Sequence, residues 1–317
     1  MNLNNLIKLS GDASFRKFYR SEKSVIVFCQ KEKKSNLLIY DSINKLLIKN
    51  KIKAPKLLTQ NYKKNFIEIE DLGDVSIYNK LKNKKINKLK YYKKIILLLC
   101  KLQKIKTKKI KTFSNTNYII PKYSKDKLFK ESKLFLDWYV TKVIKKENQK
   151  MIKNKLKNII KILLKKIKNK NNIFVHRDFH VSNLIEYRKT IALIDNQDAL
   201  YGNSAYDLAS LIDDVRFKTS SSLKEKIFKY FLKQNKSINK KDFKNDFDLL
   251  SVLRNIKIIG IFTRLSSRDK KHYYLKLIPH AWKLIEYRIN NNAVFNDLKL
   301  LLDKNFSKKM RKRKWKK

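Results

Sequence analysis

Cysteine is nearly missing from this sequence. Only Cys29 and Cys100 occur, far apart and in apolar surroundings without metal-type spacing, so no disulfide framework is implied and both thiols are expected to be reduced and buried in a cytoplasmic protein. Glycine and proline are also scarce, with four and three residues, and the chain has no Gly/Ser linker and no internal repeat. Long apolar runs are lacking too. The longest, Ile95 to Cys100, falls far short of the ~20 residues that span a bilayer. The first residues, Met1-Asn2-Leu3-Asn4-Asn5-Leu6, lack a basic segment followed by an apolar stretch, so neither an exported nor a membrane-spanning protein is expected.

Acidic residues are in deficit: 27 against 78 basic ones leave a net charge of +51. Such a charge ordinarily points to nucleic acid or an anionic membrane. Here lysine is spread along nearly the whole chain beside abundant asparagine and isoleucine, which reads as compositional drift placing solvated lysine faces on ordinary helices. No specific nucleic-acid partner is expected. The exception is the dense basic run from Lys308 to Lys317 with its single aromatic residue, Trp315, for which a frayed terminus is the expectation.

What is present is enough for a sizeable core, since 43% of the 317 residues are hydrophobic. Ser24 to Cys29 and Phe66 to Glu70 are rich in β-branched and aromatic residues, and Leu37 to Ile48 between them reads as a helix. After Asp71-Leu72-Gly73-Asp74 the texture changes to long helices, such as the one with the stripe Ile95, Leu98, Leu99, Leu102. A lobe boundary near residue 75 follows, giving a small strand-rich lobe over 1–75, a larger lobe over 76–307 and a basic tail over 308–317. Residues 126–169 read as one or two helices, the first carrying Leu134, Phe135, Trp138 and Tyr139 in i, i+4 pairs. The period then turns extended twice, at Ile173-Phe174-Val175 and at Thr190 to Ile194, and each short strand ends at a turn bearing carboxylates. Helices resume at Tyr206.

The strongest chemical signal is His176-Arg177-Asp178-Phe179-His180-Val181-Ser182-Asn183, which satisfies the pattern His-Arg-Asp-x-x-x-x-Asn after a strand. Phosphoryl transfer needs a carboxylate to orient and deprotonate the attacking hydroxyl and an amide oxygen to hold magnesium. Asp178 and Asn183 fit those roles. Twelve residues beyond Asn183 stands Asp195, at the next strand end, suited to the magnesium that bridges nucleotide phosphates. Asp and Asn at strand ends often merely make turns, but four required positions and two strand contexts agree here. Metal binding by His176 and His180 fails on context, because an i, i+4 pair serves a metal only on a helix face and this segment reads as a loop. His176 reads as a packed residue that shapes the loop.

Nucleotide phosphates also need backbone N–H groups exposed by a turn of small residues. Gly11-Asp12-Ala13-Ser14-Phe15, ahead of the strand Val25 to Phe28, supplies the candidate, and Arg16 and Arg20 could add charge near phosphate.

The catalytic stretch, the strand end at Ile194-Asp195 and Ser204-Ala205-Tyr206-Asp207-Leu208-Ala209-Ser210-Leu211 resemble the aminoglycoside phosphotransferase family. Gly11 to Arg20, Glu70 to Asp74, Glu131 to Tyr139, Gln197-Asp198-Ala199 and Arg254 to Leu265 with Arg268-Asp269 are similar to one branch, the bacterial N-acetylmuramate/N-acetylglucosamine anomeric kinases. The resemblance runs from about residue 9 to 290. It implies an α+β, bilobal protein-kinase-like fold that binds ATP with Mg2+ and phosphorylates the anomeric hydroxyl of an amino sugar in cell-wall recycling. Carried over by position, Asp178 is the catalytic base, with Asn183 and Asp195 holding the metal. Gly11, Asp12, Ala13, Ser14 and Phe15 cover the phosphates, and Glu70 and Asp71 lead the segment that meets adenine. His176, Arg177 and Asp207 support the catalytic loop, while Glu131, Trp138, Gln197 and Asp198 lie toward the sugar. Acceptors of the aminoglycoside or choline type, and a non-catalytic polyanion binder on a kinase fold, remain alternatives; a monomer is the default.

Two departures stand out. A protein kinase would carry a lysine near the end of the strand Val25 to Phe28, where Phe28 and Cys29 stand instead, so Lys31 or another cation reaches the phosphates or the site manages without one. Asn196 occupies a position where the family usually has an aromatic residue, which is expected to alter packing under the loop and leave metal binding intact.

Overall fold

A computed structural model describes residues 6–9, 16–22, 24–313 and 315. It comprises two compact units. One takes the described residues up to Pro121 together with Ile173–Tyr201, the other Lys122–Asn172 with the described residues from Gly202 onward. The segment Gly11, Asp12, Ala13, Ser14 and Phe15 lies outside the described residues.

The first unit is built on a five-stranded sheet of β1 (Ile7–Leu9), β2 (Lys17–Arg20), β3 (Ser24–Phe28), β4 (Leu57–Asn61) and β5 (Phe66–Glu70), in the order β1-β2-β3-β5-β4. Every pairing is antiparallel. β3 is central because its β-branched run suits a strand covered on both faces. Val25 and Val27 stand opposite Ile69 and Ile67, and this face packs on Leu37 and Tyr40 of helix α1 (Ser35–Lys49). Burying each such aliphatic side chain stabilises by roughly 1.5–3 kcal/mol. Cys29 joins this cluster, and burial pushes its thiol pKa upward. Cys100, expected to be buried, is half-buried; neither cysteine forms a disulfide.

β5 leads into a tight turn at Gly73, whose φ of +78° favours glycine. Helices α2 (Ile77–Lys82) and α3 (Lys88–Gln103) follow, capped by the side chains of Ser76 and Asn87. On α3 the buried stripe includes Ile95, Ile96, Leu99 and Leu102, while Leu98 is only half-buried. A hairpin of β6 (Lys109–Lys111) and β7 (Asn117–Ile119) precedes β8 (Ile173–Val175), β9 (Leu184–Tyr187), β10 (Thr190–Leu193) and β11 (Leu200–Gly202). β8 pairs with β11, and β9 with β10. Leu72 packs on Ile185 and Ala192 of the β9–β10 hairpin, and Glu186 N–H donates to the Val75 carbonyl at 2.8 Å. The segment after β5 is thereby seated on the same hairpin whose ends carry Asn183 and Asp195.

The second unit is helical: α4 (Lys125–Leu134), a π-helical segment Phe135–Val140, α5 (Thr141–Val143), α6 (Lys146–Lys165), α7 (Ala205–Ile212), α8 (Ser221–Gln234), α9 (Lys240–Asp269), α10 (Ile278–Ile289), α11 (Asn296–Asn305) and α12 (Lys308–Arg311). α9 is buried on nearly all sides between Phe243 and Leu265, as expected for a helix at a core's centre. It packs backbone to backbone at Gly260, where an added Cβ would stand 2.2 Å from the Leu134 carbonyl carbon and 2.4 Å from the Phe135 nitrogen. The expected i, i+4 pairing over this stretch holds for Phe135 and Tyr139, although the chain is π-helical from Phe135 to Val140. Phe135 and Tyr139 stack at 5.1 Å, and Trp282 Nε1 donates to Tyr139 Oη at 3.1 Å. The basic tail, expected to fray, begins as α12. Its Arg311 is buried, donating to Glu286 at 2.9 Å and Asp303 at 2.7 Å and lying over the Trp282 ring. Among the described residues, no helix is long and apolar enough to cross a membrane.

Candidate active site

β8 delivers the chain to fully buried His176, and Arg177 follows at φ +80°. The loop then closes on itself. His180 N–H and Asn183 Nδ2 both donate to the Asp178 carbonyl at 3.0 Å, and residues Val181–Asn183 form a 3-10 turn. Fixing the Asn183 amide in this sense leaves Oδ1 with no hydrogen-bond partner among the described residues. At the far end of β10, Asp195 adopts a left-handed conformation at φ +62°, a strained state for a residue with a side chain that surrounding structure must hold.

Two donors hold it. Arg16 Nη2 approaches Asp195 Oδ1 at 3.0 Å and Gln197 Nε2 reaches the same oxygen at 2.9 Å, which leaves Oδ2 free of hydrogen bonds among the described residues. Crowding by protein atoms raises the Asp195 pKa, the Arg16 charge opposes the rise, and the negative charges of Asp178 and Asp198 add to it. With 40% of the side chain still exposed, water offsets part of that push.

Asn183 and Asp195 border one cavity of about 290 Å³. Its apolar wall includes Val25, Ile69, Leu72, Ile185 and Ile194, a lining suited to a flat aromatic ligand group. The segment Glu70–Gly73 forms another edge. Asp71 Oδ1 accepts from Gly73 N–H at 2.8 Å, and Arg20 clamps the turn through Asp71 and Asp74. Burial opposes ionisation of Glu70, but hydrogen bonds from Lys53 and Tyr187 outweigh it and hold the carboxyl below its ordinary value. The Glu70 and Asp71 side chains are therefore engaged in shaping the edge. Leu72 has neither backbone polar group hydrogen-bonded among the described residues.

Beneath the site, His176 Nε2 lies 2.8 Å from Asn196 Oδ1 and 3.1 Å from the Ile194 carbonyl. Both are acceptors, so Nε2 carries the proton. Asn196 Nδ2 in turn donates to Asn44 of α1 at 2.8 Å and to the Leu193 carbonyl at 3.1 Å. Arg177 donates to exposed Asp198 at 3.3 Å, and buried Gln197 also reaches Asp198 Oδ2 at 3.0 Å. The donors that face the cavity, an amide oxygen and a carboxylate oxygen, suit a hard cation such as Mg2+.

The Phosphotransferase enzyme family model matches residues 5–237. The chain belongs to this family. It is 26% identical over 306 residues to N-acetylmuramate/N-acetylglucosamine kinase of Pseudomonas aeruginosa, covering 94% of this chain and 87% of the relative. The kinase of the same name from Neisseria meningitidis serogroup B is 26% identical, covering 85% and 81%. Among solved structures, a choline/ethanolamine kinase family protein from Mesorhizobium loti matches with a TM-score of 0.63 at 10% identity, covering 93% and 92% of the two chains. An ADP-bound aminoglycoside phosphotransferase matches with a TM-score of 0.60 at 16% identity, covering 90% and 93%. The fold is thus the α+β, protein-kinase-like one, and this phosphotransferase is a small-molecule enzyme.

Other expected residues of the phosphotransferase lie in the second unit. Glu131, on α4, receives Lys257 Nζ at 2.8 Å and the Tyr123 hydroxyl. Tyr123 also reaches Tyr206 Oη at 3.0 Å, so Glu131 belongs to a polar network that sequence reasoning had not assembled. Trp138 is half-buried on the π-helical segment, and Asp207 is fully buried in the first turn of α7. Asn36 and Asn44 of α1, which hold Arg16 and Asn196, carry no motif and were not singled out.

Proposed function

We propose that this phosphotransferase transfers the γ-phosphoryl group of ATP to a sugar hydroxyl, the anomeric one of N-acetylmuramate or N-acetylglucosamine, in cell-wall recycling. The observation that carries this reading is that Asn183 and Asp195, from the two ends of the β9–β10 hairpin, border a single cavity whose other wall is apolar. The names of the relatives favour an amino sugar as acceptor.

In this reading Asp178 orients the acceptor hydroxyl and takes its proton, while Asn183 and Asp195 would hold Mg2+. The cation supplies charge neutralisation at the transferred phosphoryl group. Adenine lies against Val25, Ile69, Leu72 and Ile185 and meets the backbone of Leu72; Gly11 to Phe15 cover the phosphates. The strained turn at Asp195 and the closed loop at Asp178 are pre-set by hydrogen bonds, so little reorganisation remains when substrates arrive. His176, Arg177 and Asp207 support the loop, and Glu131, Trp138, Gln197 and Asp198 face the sugar. Residues 1–75 act as the nucleotide-covering lobe, 76–307 as the catalytic and acceptor-binding one, and the site is cytoplasmic.

The test is ADP release from ATP and Mg2+ over a panel of amino sugars, choline-type alcohols and aminoglycosides, followed by locating the phosphate by NMR. Phosphate on the anomeric carbon of an N-acetylated amino sugar is the expected result. Turnover only with antibiotics or choline would overturn the acceptor assignment, and no ADP release with any acceptor would overturn the reaction.

A further inference from the structure

β3 offers the cavity no cation. Its sequence is Ser-Val-Ile-Val-Phe, with Val25 on the cavity wall, and Lys31 sits on an exposed turn. Of the two arginines nearby, Arg20 is engaged with Asp71 and Asp74 at the cavity's edge. Arg16 is different. It stands just before β2, is only 6% exposed, and holds its guanidinium 3.0 Å from Oδ1 of Asp195, a residue that lines the cavity. Asn36 Oδ1 on α1 fixes the other arm at 2.7 Å. The rings of Phe18 and Tyr40, both on the cavity wall, lie 6.0 and 5.7 Å from the guanidinium carbon.

A guanidinium held this far from water is costly unless paired, and here Asn36 and Asp195 each engage a different terminal nitrogen of it. A tethered planar fork beside a carboxylate that is itself strained into place is the arrangement suited to oxygens of a phosphate chain. We propose that Arg16 is the cation that receives the nucleotide's phosphates, doing from the start of β2 what a strand lysine would do from β3, with Asn36 as its positioning partner. The inference rests on the nucleotide reading above. It gives Arg16 two duties: balancing Asp195 before substrate arrives, and turning its remaining N–H groups to phosphate oxygens when the nucleotide binds.

Titration calorimetry in EDTA separates these duties from the chemistry, using ADP and adenosine as probes of wild type, Arg16→Ala, Arg16→Gln, Arg16→Lys and Asn36→Ala. Removing the charge should weaken ADP about tenfold or more while adenosine changes less than about twofold; Arg16→Lys should recover part of the loss, and Asn36→Ala should fall between. Arg16→Gln keeps a donor for Asn36 and decides the matter if Arg16→Ala melts early. Unchanged ADP affinity in Arg16→Gln, or equal loss of ADP and adenosine in a variant with wild-type melting, overturns the proposal. Wild type that binds neither probe would instead overturn the nucleotide reading, and the proposal with it.

Discussion

Asn196 donates its side-chain amide to Asn44 at 2.8 Å across 152 residues of chain, and both residues are essentially without exposure. An aromatic residue at position 196 would fill space under the loop. The amide instead joins α1 to the His176 ring, with a donor and an acceptor both in use. Replacing Asn196 by Leu strands two buried partners, and each such group costs about 1–3 kcal/mol. Urea unfolding of Asn196→Leu should therefore show a loss of about 2–4 kcal/mol, and Asn44→Leu in the same chain should restore part of it. Strict additivity of the two changes would mean the residues are not coupled.

Asp178 is held by its own backbone carbonyl, which accepts from His180 and Asn183, so its side chain can be changed without opening the loop. Asp178→Ala is expected to lower kcat by about 10²–10⁴-fold, with ADP affinity and melting temperature near wild type. Wild-type turnover in the purified variant would remove Asp178 from the reaction.

Gly260 allows no side chain, since the nearest atoms belong to the Leu134–Phe135 backbone and cannot rotate away. Gly260→Ala should destabilise by about 1–3 kcal/mol or more, against the gain of a few tenths to about 1 kcal/mol that alanine usually brings to a helix interior. The sign of the change in a chemical denaturation curve checks this directly.

His280 lies near the start of α10, where burial, then the charges of Lys224, Lys218 and Lys283, depress its pKa to about 4, with Asp213 pulling the other way. The unfolded chain binds this proton near pH 6.5 and the folded chain does not until near pH 4. Stability is thus lost as pH falls through that window, because the unfolded state then holds more protons. Allowing for partial solvent screening, the loss should reach about 1–2 kcal/mol. His280→Asn should flatten the slope of unfolding free energy between those pH values; an unchanged slope would assign the effect to other groups.

The central strands and the two strand ends that carry Asp178 and Asp195 were legible because each is a local pattern. β-branched runs gave Ser24–Phe28 and Phe66–Glu70, and the spacing from Asp178 to Asp195 reflects one short hairpin. β9 went unread because Leu-Ile-Glu-Tyr is four residues long, directly follows the motif, and pairs with the equally short β10. The π-helical widening at Phe135 was invisible because the backbone contact beside it is made with Gly260, more than a hundred residues away. Asn36 and Asn44 were equally silent, since asparagine is common throughout this chain and their roles arise only when α1 packs near Arg16 and Asn196. Arg311 shows the same limit in reverse: a basic run looked solvated, but one of its cations found two carboxylates and a tryptophan face.

α1 grips the site through two uncharged amides, Asn36 and Asn44, eight residues and so about two turns apart along one face. Buried contacts at hydrogen-bond range are screened little by salt, whereas the lysine coat around them is screened beyond a Debye length of about 8 Å under physiological conditions. Salt can therefore weaken the long-range pull on an anionic substrate without loosening the frame that receives it.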